Sequence, residues 1–344
     1  LQSTSNRTPI SHTGVIVPTA GGNNPDVVAS VRLLAEQEPK NLVVLCGNAN
    51  SRAAAVASRY QMIDFICYEL PTGKDGFLAT NSLLAFCVLL SRAYLELSGK
   101  NIKLPNDFRT LLCDEHSQKK PEHAINRFDN VLRQRTLIVL HGPTTTSAAT
   151  DIESKFSEAA LGNIQICDFR QFAHGRHNWL AKRAGESAVI SIESPEDKNI
   201  ALKTLQLLPA SVPVKRLIIP HRGLIADLAG ICEGFYLASA AGKRLGIDPG
   251  RPGVPPFGRQ IYSVNAFHGH DTPKGLPTWK IRAIVRKSSE RIDGLIADKR
   301  LSFWLRALDT AMKKLTSAYF KAVVFDYDGT LCNESRRFGP LPSE

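Results

Sequence analysis

Long apolar runs are absent from this sequence of 344 residues. No stretch reaches the roughly 18 consecutive apolar residues of a membrane-spanning helix, so we expect no membrane partner. The first residues carry no signal-peptide pattern. The seven cysteines show neither a CxxC pair nor another metal-ligand spacing, and we interpret them as reduced thiols of a cytoplasmic protein.

Acidic residues are outnumbered, because 32 Asp and Glu stand against 43 Lys and Arg, a formal net charge of +11. Nucleic acid is one partner that such a charge favours. The basic residues are spread along the chain, however, and no basic tract is interleaved with aromatic residues. We expect no nucleic-acid partner, and we interpret the excess as attraction for anionic metabolites such as sugar phosphates, or as a contribution to solubility.

Short apolar segments alternate with helical patterns along the chain. Hydrophobic residues make up 43% of the sequence and charged residues 22%, which is typical of a globular protein, and the length allows two or three domains. Strands are predicted at 13–17 and 41–46, and helices at 27–36 and 52–60. This alternation predicts an α/β fold with a doubly wound parallel sheet. Longer helices are predicted at 77–97 and 225–245, and Gly246 supplies the C-terminal cap of the second.

Two turns follow the first two predicted strands. In the first turn, Asn23 or Asn24 is expected to cap a helix that begins at Pro25. The first turn contains Thr19, Gly21, Gly22, Asn23 and Asn24, and the second contains Ser51. Simple turn chemistry is one interpretation of these residues.

A third candidate site follows the apolar strand predicted at 137–140. The turn after it contains Thr144, Thr145, Thr146 and Ser147, and a helix is predicted from about 148 to 161. Unpaired N–H groups and the helix dipole both point toward such a turn, so this is a predicted anion site.

The predicted helix carries charged residues on one face. Asp151, Lys155 and Glu158 lie at positions i, i+4 and i+7, so they share a face of the helix. One interpretation is a solvated charged face, since such pairs are common on helices. The other is a lysine and a glutamate that line a site beside bound phosphate.

The string from Asp151 to Glu158, followed by Phe172-Ala-His174-Gly175, resembles the sugar isomerase (SIS) domain family, and in particular the isomerase half of glucosamine-6-phosphate synthase. The family has an E-x-x-x-K-x-x-E helix and then an H-G pair, and the interval from Glu158 to His174 matches its spacing. The resemblance implies that Lys155 and Glu158 handle protons and that His174 opens the sugar ring or contacts the substrate. It also implies a sugar-phosphate ligand, a homodimer, and no cofactor for this part.

Two further segments extend the resemblance, with departures. The turn that starts at Thr19 is similar to the family's phosphate loop, but Gly21 and Asn24 stand where the family has hydroxyl residues. The resemblance implies that the candidate phosphate-binding residues are those of the two turns, whose backbone N–H groups are suited to bind phosphate: Thr19, Gly21, Gly22, Asn23, Asn24 and Ser51. The segment after Gly246 is similar to the family's closing signature, which precedes a tail strand that carries an active-site lysine. Arg259 falls near that position, and arginine cannot form a Schiff base as lysine can. This difference argues against the full mechanism of the parent enzyme.

The sequence from 321 to 331 carries a second resemblance. An apolar strand runs into Asp326-Tyr-Asp328-Gly-Thr, which resembles the first motif of the haloacid dehalogenase (HAD) phosphatases. The resemblance implies that Asp326 is a nucleophile and a Mg²⁺ ligand, and that Asp328 is a general acid/base and the second metal-binding residue. The pair His268 and His270 has a spacing that permits metal binding, although a polar loop is the simpler interpretation.

We therefore expect two doubly wound parallel-sheet lobes of the SIS, flavodoxin-like kind and the first strand of a HAD Rossmann-like domain. The resemblance also implies that the first βα unit of the first lobe and the remainder of the HAD domain are missing. The expected divisions are a first lobe at 1–97, linker helices at 98–129, a second lobe at 130–267, a connector at 268–320 and the HAD start at 321–344.

Two functions remain open at this point. The first is isomerisation of an aldose to a ketose, or deglycation, on a sugar phosphate, with a HAD-type phosphatase fused to it. The second is a non-catalytic sugar-phosphate sensor that regulates or feeds the attached Mg²⁺-dependent phosphatase.

Overall fold

Two parallel sheets organise the chain in the computed structural model, which describes residues 13–70, 73, 75–100, 104–264, 276–290, 292–322 and 324. These residues form two compact units. The first unit contains both sheets, and the second contains three helices near the C-terminal end of the chain.

The first sheet has three parallel strands in the order β1-β2-β3. Its elements are β1 (Gly14–Thr19), α1 (Pro25–Gln37), β2 (Asn41–Cys46), α2 (Arg52–Ala57) and β3 (Ile63–Cys67). Helices α1 and α2 both pack on one face of this sheet, in a core that includes Val31, Val44 and Val56. On the other face, Ile16 and Ile66 are 44% and 51% exposed. The expected doubly wound arrangement is therefore not seen in the described part of this lobe, because both connections cross on the same side.

A segment of helices joins the two sheets. Its helices are α3 (Asn81–Leu97), α4 (Glu115–Lys119) and α5 (Pro121–Asn126). A buried ion pair joins this segment to α10 (Gly223–Leu245), which packs on the second sheet. Arg127, whose side chain is 4% exposed, pairs with the fully buried Glu233 of α10 and also with Asp114 at 2.7 Å. Glu233 additionally accepts the backbone N–H of Cys113 at 2.7 Å, so both buried charges have partners.

The second sheet has four parallel strands in the order β5-β4-β6-β7. Its elements are β4 (Thr136–His141), α6 (Thr146–Glu158), β5 (Asn163–Asp168), α7 (Phe169–Gln171), α8 (Asn178–Arg183), β6 (Ser187–Glu193), α9 (Lys198–Gln206), β7 (Val214–Ile218), α10 (Gly223–Leu245) and α11 (Pro256–Tyr262). Every residue of β4 and β6 is buried, as expected for central strands covered on both faces.

Helices cover both faces of the second sheet. Ile152 of α6 and Leu237 of α10 pack with Ile190 on one face. Phe169 of α7 and Ala201 of α9 belong to the core of the opposite face. The doubly wound prediction is confirmed for this sheet, because the connection from β4 to β5 crosses on one face and those from β5 to β6 and from β6 to β7 cross on the other.

Helix α10 is long and apolar enough to cross a membrane by length and composition alone, but 67% of that window is buried within the protein. It is therefore a core helix of the second sheet. Gly246 follows it with a φ of 67°, and this left-handed residue confirms the predicted C-terminal cap.

The second unit contains α12 (Thr278–Ser288), α13 (Ile292–Ala297) and α14 (Leu301–Ser317). Ile281, Ile284 and Leu295 are buried, and Lys280 pairs with Asp309 to join α12 to α14.

Asp75 caps the long helix α3. Its two carboxylate oxygens accept the backbone N–H groups of Thr80, Asn81 and Ser82 at 2.9–3.2 Å and the hydroxyls of Thr80 and Ser82. Burial alone would raise the pKa of Asp75, but the hydrogen bonds from Ser82 and Thr80 outweigh it and hold the pKa below its usual value. The ionised carboxylate is therefore the form that stabilises the fold.

We expect Asp75→Asn to lower the free energy of unfolding by about 1–2 kcal/mol at pH 7, because an amide offers one acceptor where the carboxylate offers two. Since the folded pKa is depressed, the contribution is present above the unfolded pKa of about 3.9 and is lost as the pH falls through the folded value. Urea denaturation at pH 7 and at about pH 3 measures this. Asp64→Asn, at an exposed position of β3, is the matched control. A deficit that stays the same at both pH values would contradict the role of the charge.

Candidate functional site

The third candidate site lies at the carboxyl edge of the second sheet. Strand β4 ends at His141, which is 7% exposed and whose Nδ1 donates to the carbonyl oxygen of Gly142 at 2.9 Å. The chain then enters α6, whose first residues are the predicted anion ligands. In an open parallel sheet this edge is where ligands usually bind.

The hydroxyl groups of the turn are engaged with the protein itself. Thr144 donates to the Ser194 hydroxyl at 3.0 Å, and Ser194 donates to Asp197 at 2.6 Å. The Thr145 hydroxyl is fully buried and accepts the N–H of Gly142 at 3.2 Å. Thr146 donates to the carbonyl oxygen of Pro143 at 3.1 Å. The structure thus brings these residues together but uses the hydroxyl groups of Thr144, Thr145 and Thr146 to hold the turn, whereas Ser147 is exposed.

A carboxylate of the protein already lies at the start of α6. Asp227, the fifth residue of α10, accepts the N–H of Ala148 at 2.9 Å. The N–H of Thr145 bonds to Gly142 at 3.3 Å. An external anion at this helix end would have to approach the negative charge of Asp227. The sequence offered no signal for this contact, since Asp227 lies 79 residues from Ala148.

The charged face of α6 is not the solvated face that periodicity allows. Lys155 is only 3% exposed, pairs with Asp151 and lies with its Nζ 4.9 Å from the centre of the Phe235 ring. Burial raises the pKa of Asp151, Lys155 lowers it, and the charges of Glu158 and Asp227 raise it further. The solvated-face interpretation is wrong for these two residues, because α10 covers them. Phe235 could not be found from spacing, since it comes from another helix.

Glu158 lies apart from this pair. It is exposed, and one of its oxygens accepts the hydroxyl of Ser154 at 2.6 Å. Of the three charged residues aligned on α6, Glu158 is therefore the one that a molecule in solution can contact. Lys155 would first have to leave Asp151.

His174 lies beyond the carboxyl end of β5. It is exposed, in a short π-helical turn at Phe172–Arg176. Asp168 precedes this segment and caps α7 by accepting the N–H groups of Arg170 and Gln171 at 2.7 and 2.8 Å. No contact of His174 with Lys155 or Glu158 is found among the residues that the structure describes.

The two turns of the first lobe meet at the carboxyl edge of the first sheet. The N-cap prediction is confirmed for Asn24, whose side chain accepts the N–H of Asp26 at 2.7 Å. Asn23 instead accepts the N–H of Arg52 at 2.9 Å and so caps α2 together with Ser51, which accepts the N–H of Ala54 at 3.1 Å.

The remaining ligand candidates of these turns also bond locally. The Thr19 hydroxyl accepts the N–H of Gly22 at 3.2 Å, and the Gly22 carbonyl accepts the N–H of Ala53 at 2.9 Å. Gly21 is exposed beside them. The two turns therefore lie together, with most of their polar groups bonded to one another.

Arg259 lies on helix α11, where the resemblance implied a strand, and its side chain is exposed. The expectation of a tail strand is wrong here because Pro255 and Pro256 start a helical turn that the N–H of Arg259 continues by bonding to Pro255.

Asp326, Asp328, His268 and His270 lie outside the described residues. No group of three or more potential metal ligands is found in the part of the chain that is described.

We expect Asp227→Asn to raise the affinity of the α6 turn for inorganic phosphate by about fivefold, because a unit charge about 4 Å away is worth about 1 kcal/mol in water. Isothermal titration of both proteins at low ionic strength measures the change. Asp248→Asn makes the same change in net charge beyond the other end of α10, about 30 Å away at 1.5 Å per residue, and serves as control. Equal gains in both variants would contradict a local effect of Asp227.

Comparisons with known proteins add to this geometry. No protein-family model matches the sequence, and no curated protein matches it. Among solved structures, tagatose-6-phosphate ketose/aldose isomerase from Escherichia coli superposes with a TM-score of 0.57 at 16% identity, over 74% of each chain. Glucosamine-6-phosphate deaminase from Thermotoga maritima gives a TM-score of 0.50 at 13% identity, over 73% of this chain and 76% of its own.

These similarities concern the course of the backbone, since the identities are low. They agree with the two parallel sheets described above. The chain has an α/β fold similar to that of the E. coli tagatose-6-phosphate ketose/aldose isomerase.

Proposed function

We propose that the chain binds a sugar phosphate and acts on it as an aldose–ketose isomerase or deglycase, with Glu158 as the proton-transfer residue. The observation that carries the proposal is the exposure of Glu158, the last residue of α6, while Asp151 and Lys155 are enclosed in the preceding turns of the same helix. The fold supports it, since the E. coli protein with a similar fold is a ketose/aldose isomerase.

The chemistry requires one base that moves a proton between neighbouring carbons. The Glu158 carboxylate would remove the proton from C2 of the open-chain aldose phosphate and return it to C1 through an enediol. A base contributes in this way only within hydrogen-bond reach of the carbon-bound proton, which an exposed side chain allows. His174, also exposed, would protonate the ring oxygen and open the ring. Lys155 would assist only after its ion pair with Asp151 opens.

Phosphate recognition is assigned to the turns at the two sheet edges. In the first lobe these are the residues from Thr19 to Asn24, with Ser51; in the second they are Thr144 to Ser147. The net charge of +11 favours an anionic ligand. The internal hydrogen bonds of both turns favour a low affinity, since the ligand must compete with them.

We expect Glu158→Gln to slow the exchange of the C2 hydrogen of hexose 6-phosphates in D₂O by at least about 100-fold, which is the usual effect of removing a general base. NMR with a panel of these sugars measures it. Glu153→Gln is a matched control, because Glu153 is on the same helix and accepts the Ser157 hydroxyl at 2.9 Å as Glu158 accepts that of Ser154. Equal loss in both variants, or undiminished exchange in Glu158→Gln, would contradict the assignment.

A non-catalytic sensor is the second candidate, and the buried ion pair of Lys155 favours it. A lysine that is 4% exposed on its side chain and held by Asp151 is not available to a substrate in this conformation. Saturable binding of a sugar phosphate without any C2 exchange in the wild type would establish this alternative.

We further propose, from the sequence alone, that the segment from 321 onward belongs to a Mg²⁺-dependent HAD phosphatase fused to the SIS part. Asp326 and Asp328 would hold the ion, and Asp326 would also be the nucleophile.

Titration with Mg²⁺ alone should show a site that the double substitution of Asp326 and Asp328 by asparagine weakens by at least about tenfold, since Mg²⁺ depends on carboxylate ligands. Asp293→Asn combined with Asp298→Asn changes the charge equally and should leave binding unchanged. Equal binding by the wild type and the first variant would contradict the proposal.

A further inference from the structure

Two cysteines lie side by side at the carboxyl edge of the first sheet. Cys46 ends β2, Cys67 ends β3, and the two are register partners in adjacent parallel strands. Side chains of register partners project from the same face of a sheet. Among the six cysteines that the structure describes, these two are partners in one register.

The hydrophobic core shows that Cys46 and Cys67 lie on the face of the sheet that α1 and α2 cover. The preceding partners on that face, Leu42 with Ile63 and Val44 with Phe65, all pack beneath α1 and α2, and Cys46 belongs to the same cluster. Neighbouring strands lie about 4.8 Å apart. Disulfides form between Cα atoms roughly 4.4–6.8 Å apart, so the backbone separation suits a bond between these residues.

The two thiols differ in access. Cys67 is exposed, whereas Cys46 is fully buried. An oxidant in solution therefore meets Cys67 first, and Cys46 is the neighbour that can resolve the product.

The Cys46 sulfur is part of the loop to which phosphate binding was assigned. It accepts the N–H of Asn48 at 3.4 Å and lies 3.6 Å from the Ser51 hydroxyl, which caps α2. A Cβ atom on Gly22 would lie only 2.8 Å from this sulfur, so the sulfur packs directly against the first turn. Rotation of the Cys46 side chain toward Cys67 would break these contacts.

We propose that Cys46 and Cys67 form a reversible disulfide with low-molecular-weight disulfide oxidants, and that this bond weakens ligand binding at the turns of Gly22 and Ser51. The second half rests on the proposed sugar-phosphate function; the first half does not.

With oxidised glutathione as the oxidant, the thiol–disulfide exchange has two steps. The Cys67 thiolate attacks one sulfur of oxidised glutathione, which forms a mixed disulfide and releases one glutathione thiolate. Cys46 gives its proton to solvent and attacks the Cys67 sulfur, which forms the internal bond and expels the second glutathione. Two protein thiols are oxidised and one glutathione disulfide is reduced.

Partial desolvation of the sulfur, the negative charge of Glu69 and the neighbouring Cys46 raise the pKa of the exposed Cys67 thiol. The reactive thiolate is therefore scarce at neutral pH, and the first step accelerates as the pH rises toward that pKa. This makes the pair slow to oxidise under neutral conditions, in agreement with reduced resting thiols.

The test uses the full chain, incubated with oxidised glutathione, alkylated and digested for mass spectrometry. We expect a peptide that links Cys46 to Cys67, with a loss of two hydrogen atoms that dithiothreitol reverses. It should persist in Cys167→Ser, a control at the end of another strand, and be absent in Cys67→Ser. A stable glutathione adduct at Cys67 without the internal bond, or a link between other cysteines, overturns the proposal.

Binding of hexose 6-phosphate to reduced and oxidised protein tests the second half. We expect oxidation to raise the Kd by at least about fivefold, and reduction to restore it. A disulfide that forms without a change in Kd overturns the coupling. If the reduced protein binds no sugar phosphate, the proposed function fails, while the mass-spectrometric result still decides whether the bond forms.

Discussion

The close contact between α6 and α10 is the constraint on which the second lobe depends. A Cβ atom on Gly230 would lie 2.6 Å from the Cβ of Ala148, and one on Gly234 would lie 2.8 Å from Ile152. Only glycine permits this approach without displacing α6 from the sheet. The same approach brings Asp227 to the N-terminus of α6 and Phe235 to the Lys155 ammonium.

That contact decides which charges are available for chemistry. Lys155 and Asp151 neutralise each other under α10, whereas Glu158, one turn further along, stays in solvent. A buried charge needs a partner of opposite charge because its desolvation is costly, and both Lys155 and Arg127 have such partners. The charges of Lys155 and Arg127 are thus paired in the interior, and the Glu158 carboxylate stays at the surface.

Both lobes bond the polar groups of their edge turns internally. In the first lobe Asn23 and Ser51 cap α2, and in the second Thr144 reaches Asp197 through Ser194. Such turns are ordered before a ligand arrives, which lowers the entropic cost of binding, yet an anion must compete with the existing acceptors. Contacts such as those of the Cys46 sulfur with Ser51 and Asn48 also hold the first-lobe turns in place.

Local patterns in the sequence determined strands β1, β2 and β4, the N-cap of α1 at Asn24 and the end of α10 at Gly246, because these depend on residues near in sequence. Strand β3 was not among the predicted strands. The resemblance of residues 151–158 to the SIS family also indicated the fold. Tertiary structure alone decided that Lys155 is buried, that Asp227 lies at the start of α6, and that Cys46 adjoins Cys67. Each of these depends on segments far apart in the chain, whose register and packing no local spacing encodes.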